Sequence, residues 1–181
     1  PTLDDARSVI AVLAPHVGWF KVGLQLFAAS GPAALAVVTG AGAKAFVDLK
    51  LHDIPNTVKG AVGSLSHSGA SLCTIHASGG RAMIAAAAEA ARASGKDLRI
   101  IAVTALTSLD DAAVNEIGWS GGASGTVERL LKLAVDAGAH GCVMSPVELT
   151  MARAIAPRGF FIVTPGIRAP GDAAGDQART A

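Results

Sequence analysis

The chain has 181 residues, 51% hydrophobic and 16% charged, so it can bury one sizeable core, and we expect a single domain over residues 1–181. Its net charge of +1 offers no general attraction for nucleic acid or an anionic membrane, and no apolar run is long enough to span a bilayer. Cys73 and Cys142 lie in apolar runs without metal-ligand spacing, which is typical of reduced thiols in a cytoplasmic protein.

Short β-rich runs alternate with longer alanine- and leucine-rich segments along the whole chain, which predicts an α/β fold. Strands are predicted over residues 19–24, 44–50, 72–77, 99–106, 141–145 and 160–164. Helices are predicted over residues 4–14, 32–40, 56–68, 79–94, 110–117, 124–137 and 146–156. Candidate helix starts are Pro32, the aspartate pair at 110–111 and Ser124, and candidate helix stops are Gly69, Gly95 and Gly138.

The number of predicted strands is smaller than the eight of a closed (β/α)8 barrel. The chain begins with a predicted helix and ends just after a glycine-rich loop that follows the last predicted strand. Because the first and last strands of a closed barrel are neighbours, both absences would fall in one place. The pattern therefore predicts a barrel without its first and last strands, and a doubly wound open sheet is the alternative.

The densest polar cluster in an apolar context lies at residues 45–57. Side chains alternate between the faces of a strand, so Asp48 and Lys50 are expected to point to one face. Asp53 and His52 follow at the carboxyl end of this strand, the end at which barrels build their sites. Ionised groups are costly to bury unless paired, so the Asp48–Lys50 pair is either a structural ion pair or part of a site.

Lys21 interrupts the preceding apolar strand, and neighbouring strands could bring it close to Asp48. The alternative is an amphipathic lysine that extends into solvent from the strand end. Together with the Asp48–Lys50 pair, Lys21 would form a charge network of alternating sign within a cavity.

Three further strand ends carry polar or glycine residues. The segment 164–177 contains Arg168 and several glycines, which suits a lid that grips an anion or, alternatively, a solvated loop. Thr107 and Ser108 could bind a ligand, although a helix cap is the more common use of Ser108. The Gly-Gly pair at 79–80, after His76, could receive an anion but is more often a tight turn.

The string Asp-Leu-Lys-Leu-His-Asp-Ile-Pro-Asn-Thr at 48–57 closely resembles the DxKxxDIPNT signature of orotidine 5'-monophosphate decarboxylases. Other segments similar to this family follow in the expected order, so the resemblance covers essentially the whole chain. These segments are Lys-Val-Gly at 21–23, His-Ala-Ser-Gly-Gly at 76–80, Val-Thr-Ala-Leu-Thr-Ser at 103–108, Thr-Pro-Gly-Ile-Arg at 164–168 and Gly-Asp-Gln at 175–177.

The resemblance implies a (β/α)8 TIM barrel that makes UMP from orotidine 5'-monophosphate without a metal ion or organic cofactor. It implies that Lys50 protonates C6 after carbon dioxide leaves, beside Asp48, and that Lys21 completes the charge network and touches the ribose. The implied catalytic residues are Lys21, Asp48, Lys50 and Asp53. The implied substrate-binding residues are these four together with Ile54, Thr57, Thr107, Arg168 and Gln177.

The resemblance also implies a homodimer in which Asp53 and Thr57 reach into the partner's site. Thr107 would lie against the pyrimidine or its neighbouring loop, and Arg168 and Gln177 would hold the 5'-phosphate when the loop closes. The family's opening strand, with an aspartate that contacts ribose, and its closing strand, with a Gly-Arg that contacts phosphate, have no counterpart in this sequence. We therefore expect an incomplete barrel at both ends.

Two rival functions remain at this point. Sugar-phosphate decarboxylases and aldol-type synthases of the same superfamily share a similar strand motif but rely on magnesium. Ile-Pro-Asn-Thr at 54–57 and Thr-Pro-Gly-Ile-Arg at 164–168 favour the nucleotide enzyme. A non-catalytic nucleotide-binding remnant is the second rival, because the sequence predicts fewer strands than a closed barrel needs.

Overall fold

The computed structural model describes residues 2–167 and residue 179. Within them, helices and strands alternate from α1 to β6. The helices are α1 Leu3–Leu13, α2 Leu24–Ser30, α3 Ala33–Gly40, α4 Pro55–His67, α5 Gly80–Ala93, α6 Asp111–Glu116, α7 Gly122–Asp136 and α8 Leu149–Ile155. The strands are β1 Trp19–Gly23, β2 Lys44–Leu51, β3 Ala70–His76, β4 Arg99–Val103, β5 Gly141–Val143 and β6 Phe161–Val163.

The strands form one parallel six-stranded sheet in the order β1-β2-β3-β4-β5-β6. Sequential order is the topology of a (β/α)8 barrel, whereas a doubly wound sheet reverses its order partway. The predicted α/β class and barrel-type order are therefore confirmed, and the doubly wound alternative is wrong. Within the described residues, β1 and β6 are the edges of the sheet and pair on one side only.

The core lies between the sheet and the surrounding helices. Central strands are buried almost throughout, as parallel strands covered by helices should be. Ile100, Ile101 and Ala102 of β4 have no solvent exposure, and neither has Leu131 of α7. No helix among the described residues is long and apolar enough to cross a membrane.

Several predicted boundaries needed correction. Helix α2 was not predicted, because it follows β1 at Leu24 without any turn residue between them. Ser124 does not start α7, since the N-cap is Gly121 in the left-handed region, with φ 87°. Asp110 does begin α6, and its side chain accepts a hydrogen bond from the Ala113 amide at 2.9 Å. The prediction of Ser108 as a helix cap was therefore wrong.

Candidate active site

A cavity of about 280 Å³ opens at the carboxyl ends of the strands. Its walls are largely apolar, and its charged groups all come from β1 and β2. This is the face on which barrel enzymes build their sites, because the loops that follow each strand converge there. The lining residues are Lys21, Phe46, Asp48, Lys50, Val103, Ala105, Leu106, Thr107, Ser108, Val143, Val163 and Pro165.

Asp48 links two lysines across this cavity. Its Oδ1 accepts a hydrogen bond from Lys50 Nζ at 2.9 Å, and its Oδ2 accepts one from Lys21 Nζ at 3.2 Å. The Asp48 side chain is only 13% exposed, and burial by itself raises its pKa. The hydrogen bonds and charges of Lys50 and Lys21 outweigh burial and hold the pKa of Asp48 below its usual value. The site therefore holds an ionised carboxylate between two ammonium groups.

The backbone of β2 is distorted where it carries these residues. Lys50 has φ 52°. Among residues 2–167 and 179, every other residue with a positive φ is a glycine. Its amide donates a hydrogen bond to Thr74 Oγ1 on β3 at 2.9 Å. The Thr74 hydroxyl in turn donates to Asp48 Oδ1 at 3.0 Å. Asp48 and Lys50 thus share one face, as predicted, but through a bulge and not through regular strand alternation.

The residues that follow β2 are exposed and are not part of the cavity lining. Asp53, Ile54 and Thr57 are all exposed, and none of them lines the cavity described above. Asp53 Oδ1 accepts a hydrogen bond from the Ile54 amide at 2.6 Å. Ile54, the N-cap residue of α4, is 67% exposed.

Two histidines flank the charged cluster. The rings of His52 and His76 lie with centroids 5.4 Å apart at a tilt of 44°. Burial lowers the pKa of His76, and the nearby His52 and Lys50 lower it further, while Asp48 opposes them. A proton on His76 is therefore disfavoured beside the Lys50 ammonium.

Thr107 is buried in the cavity wall, as a ligand-contacting residue would be. Its carbonyl accepts a hydrogen bond from the Arg179 amide at 3.1 Å. The predicted phosphate-binding residues Arg168 and Gln177 lie outside the described residues. Arg179 itself is therefore in contact with the cavity wall.

An ion pair that sequence reasoning missed fixes Arg179 in place. The Arg179 guanidinium binds the Glu148 carboxylate, and it also donates to the Ala105 carbonyl at 3.2 Å. Glu148 is 4% exposed, and burial raises its pKa despite the opposing charge of Arg179. Ser145 Oγ donates to the Arg179 carbonyl at 2.9 Å. A glutamate at the start of a helix gave no sign in the sequence of a partner so far along the chain.

Sequence reasoning also missed Thr74, although its position within an apolar strand could have drawn attention to it. It is the hydroxyl residue within the otherwise apolar run Leu72-Cys73-Thr74-Ile75, and its exposure is 0%. Cys73 and Cys142 are buried free thiols, and burial raises the pKa of each to about 12. Residues 2–167 and 179 contain no cluster of three or more His, Cys, Asp or Glu side chains suited to a metal ion.

Comparison with known proteins identifies the family. Residues 1–181 match the orotidine 5'-phosphate decarboxylase / HUMPS family. The orotidine 5'-phosphate decarboxylase of Anaeromyxobacter sp. (strain K) is 50% identical over all of this chain and 78% of its own length. The enzyme of the same name from Thermobifida fusca (strain YX) is 48% identical over all of this chain and 76% of its own length.

A solved structure agrees with the sequence comparisons. The crystal structure of orotidine 5'-phosphate decarboxylase from Lactobacillus acidophilus superposes with a TM-score of 0.85 at 36% identity, covering 92% of this chain and 77% of that one. An uncharacterised conserved protein from Geobacillus kaustophilus gives a TM-score of 0.85 at 37% identity, covering 91% and 79%. Both the sequence and the fold place this chain in the orotidine 5'-phosphate decarboxylase / HUMPS family.

Proposed function

We propose that this chain, as one catalytic domain, decarboxylates orotidine 5'-monophosphate to UMP in pyrimidine biosynthesis. The observation that carries the proposal is the Lys21–Asp48–Lys50 network in the cavity at the carboxyl ends of the strands. The signature segment 48–57 supplies two of these three residues. The two relatives named above belong to a set at 41–50% identity whose members all carry the name orotidine 5'-phosphate decarboxylase. This shared name supports orotidine 5'-monophosphate as the substrate over a sugar phosphate.

The chemistry demands a fixed cation near C6. When the bond between C6 and the carboxylate breaks, carbon dioxide leaves and the electron pair stays on C6 in an orbital with little delocalisation. Lys50 stabilises this charge electrostatically and then transfers a proton from Nζ to C6. Its side chain is 30% exposed and already bound to Asp48, so the ammonium is oriented before substrate arrives. The proposal includes no metal ion and no organic cofactor.

The remaining residues bind and orient the nucleotide in this proposal. Asp48 stands beside the substrate carboxylate, and Lys21, whose side chain is 55% exposed, reaches the ribose. Thr107 lies against the pyrimidine. Arg168 and Gln177 bind the 5'-phosphate, and the binding energy of this remote group is used to orient the reacting ring.

We further propose a homodimer with shared sites. Asp53, Ile54 and Thr57 are exposed and lie outside the lining of the cavity in their own subunit, which leaves them available to a partner. In the proposed dimer, Asp53 and Thr57 reach the substrate bound by the partner, and Ile54 also contributes to substrate binding. A cytoplasmic location is also part of the proposal, because two free buried cysteines are typical of a reducing compartment.

The first test follows the loss of ultraviolet absorbance of orotidine 5'-monophosphate in the presence of a chelator. It uses the 181-residue chain and a version extended at both termini. Turnover by the 181-residue chain supports the proposal, whereas turnover by the extended form alone would show that catalysis needs residues beyond these 181. Turnover that requires added magnesium would favour the sugar-phosphate class, and UMP binding by folded protein without turnover in either form would favour a nucleotide-binding remnant.

A subunit-mixing experiment tests the shared site. Lys50→Ala and Asp53→Ala are each expected to be inactive as pure dimers. After the two are unfolded together and refolded, half of the dimers are mixed and each has one intact site, so about a quarter of the native activity should return. No recovery, with mixed dimers shown by differently tagged subunits, would overturn the shared site.

A further inference from the structure

The bulge in β2 leaves a gap in the hydrogen-bond ladder with β3. Val47 pairs with Cys73 and Leu51 pairs with Ile75, so residues 48–50 of β2 face Thr74 alone. A bulge of this kind bends the strand and re-aims its side chains, and it leaves backbone groups without their ladder partners. The Lys50 amide is one such group.

The Thr74 side chain fills that gap. Its Oγ1 accepts a hydrogen bond from the Lys50 amide nitrogen at 2.9 Å, and the same hydroxyl donates a hydrogen bond to Asp48 Oδ1 at 3.0 Å. The same carboxylate oxygen accepts Lys50 Nζ at 2.9 Å. These three hydrogen bonds close a ring that runs from the Lys50 backbone through Thr74 and Asp48 to the Lys50 ammonium.

This ring holds Lys50 in an unfavourable backbone conformation. A non-glycine residue with φ 52° is strained, and such strain persists only where surrounding contacts over-determine it. Thr74 has 0% exposure and is not among the residues that line the cavity, so it stands behind the Asp48 carboxylate and away from the substrate. Its hydroxyl is suited to the task because it donates and accepts at once.

We propose that Thr74 is a positioning residue for the decarboxylation proposed above, on which this inference rests. By tying the Lys50 backbone to Asp48, Thr74 directs the Lys50 ammonium toward C6 and turns Asp48 Oδ2 toward Lys21. Loss of the hydroxyl lets both groups shift while the cavity and its other walls remain. A misplacement of about 1 Å in a reacting group can cost about a hundredfold in rate.

The test compares Thr74→Val, which keeps the shape but removes the hydroxyl, with Thr74→Ser, which keeps the hydroxyl. We expect Thr74→Val to lower kcat by roughly 10- to 100-fold with a change in KM of no more than about threefold. Thr74→Ser should retain most of kcat. The matched control is Thr104→Val, because Thr104 is 1% exposed and its hydroxyl donates a hydrogen bond of 2.8 Å to the Val143 carbonyl.

Two readouts separate positioning from stability. Thr104→Val should lose stability comparably to Thr74→Val while keeping its kcat. Thr74→Val should also bind a UMP analogue with an anionic oxygen at C6 more weakly, in proportion to its loss of kcat, and should bind UMP unchanged. Equal kcat in folded Thr74→Val and the native protein, or equal loss of kcat in both valine variants, would overturn the inference.

A measurement on the unmodified protein guards against a variant that fails to fold. The Lys50 amide should exchange with deuterium as slowly as its neighbours in the β2–β3 ladder, because Thr74 protects it. Exchange as fast as in an exposed loop would contradict the hydrogen bond. If the native protein has no decarboxylase activity, the proposed function fails, whereas activity that is indifferent to the Thr74 hydroxyl defeats this inference alone.

Discussion

The Nζ atom of Lys21 lies 3.2 Å from Oδ2 of Asp48, on the carboxylate oxygen opposite the one that binds Lys50. The two ammonium groups differ in their surroundings, because the Lys21 side chain is 55% exposed and the Lys50 side chain is 30% exposed. The more shielded cation has the stronger electrostatic effect on nearby charge. The geometry therefore suits Lys50 for the reacting atom and Lys21 for a group near the cavity entrance.

The first prediction concerns Lys50. Lys50→Ala should lower kcat by about 10²- to 10⁴-fold or more, because it removes both the proton donor and the fixed charge. The fold should persist, because the Lys50 side chain is 30% exposed and Asp48 keeps its hydrogen bonds from Lys21 and Thr74. Activity is measured by the ultraviolet assay and folding by circular dichroism. Lys132→Ala is the control, since Lys132 forms an exposed ion pair with Glu128 on the surface of α7. Retained turnover in Lys50→Ala would refute the assigned role.

The second prediction concerns the acid stability provided by Asp48. The folded protein holds the pKa of Asp48 below its ordinary 3.8, so the unfolded chain takes up this proton first as the pH falls. The stabilisation is complete above about pH 4 and is lost as the pH falls through the folded-state pKa. Urea unfolding should therefore show a smaller decline toward low pH in Asp48→Asn than in the native protein. Asp4→Asn, which alters an exposed pair with Arg7, should decline as the native protein does.

The third prediction concerns the buried pair of Arg179 and Glu148. Arg179→Met should cost roughly 3–5 kcal/mol of unfolding free energy, because it leaves a buried carboxylate unpaired. The double variant Arg179→Met/Glu148→Leu should recover most of this loss. The control is Arg81→Met, which removes an exposed pair with Asp136 and should cost at most about 1 kcal/mol.

The pH dependence of the unfolding free energy of Arg179→Met tests whether the unpaired Glu148 carboxylate causes the loss of stability. Burial raises the pKa of Glu148, and without Arg179 only the backbone hydrogen bond from Ser145 opposes that effect. The stability of Arg179→Met should therefore rise as the pH falls through the folded-state pKa to the ordinary value of 4.5, because Glu148 takes up a proton more readily in the folded protein. Stability that does not rise would mean that the variant loses something other than a charge partner.

The fourth prediction concerns His140, which joins β4 and β5. Its Nδ1 accepts a hydrogen bond from the Ile100 amide at 3.0 Å, and burial, with Arg92 and Arg99, lowers its pKa. As the pH falls below about 6.5, His140 takes up a proton in the unfolded chain before it does so in the folded protein. Stability should therefore fall as the pH drops from about 6.5 through the folded-state pKa of His140. Urea unfolding at about pH 7.5 and about pH 5.5 should show a smaller difference in His140→Gln than in native protein. The exposed His16→Gln should leave the difference unchanged.

Much of the fold follows from sequence because its signals are local. Alternating apolar runs and helix stops such as Gly69 and Gly138, both with positive φ, are read within a few residues. Helix α2 escaped prediction because Leu24 begins it directly after β1. Gly121 and Gly122 start α7 through positive φ, which composition alone does not reveal, and Ser124 was chosen in their place.

The sequence likewise predicts some contacts of the candidate site and not others. Asp48 and Lys50 are two residues apart, so their pairing is foreseeable from strand geometry. Their link to Thr74 depends on a bulge in β2. A bulge is a property of how two strands pair, so the sequence of one strand alone does not predict it. The Glu148–Arg179 pair joins positions 31 residues apart through burial that becomes visible only in three dimensions.

The anchoring of Arg179 has a consequence for the rigidity of the cavity wall. Its amide and its guanidinium donate hydrogen bonds to the carbonyls of Thr107 and Ala105, which both line the cavity after β4. Its own carbonyl accepts a hydrogen bond from Ser145, which follows β5. A single residue therefore ties the ends of two neighbouring strands together, so this part of the wall has its shape before any nucleotide binds.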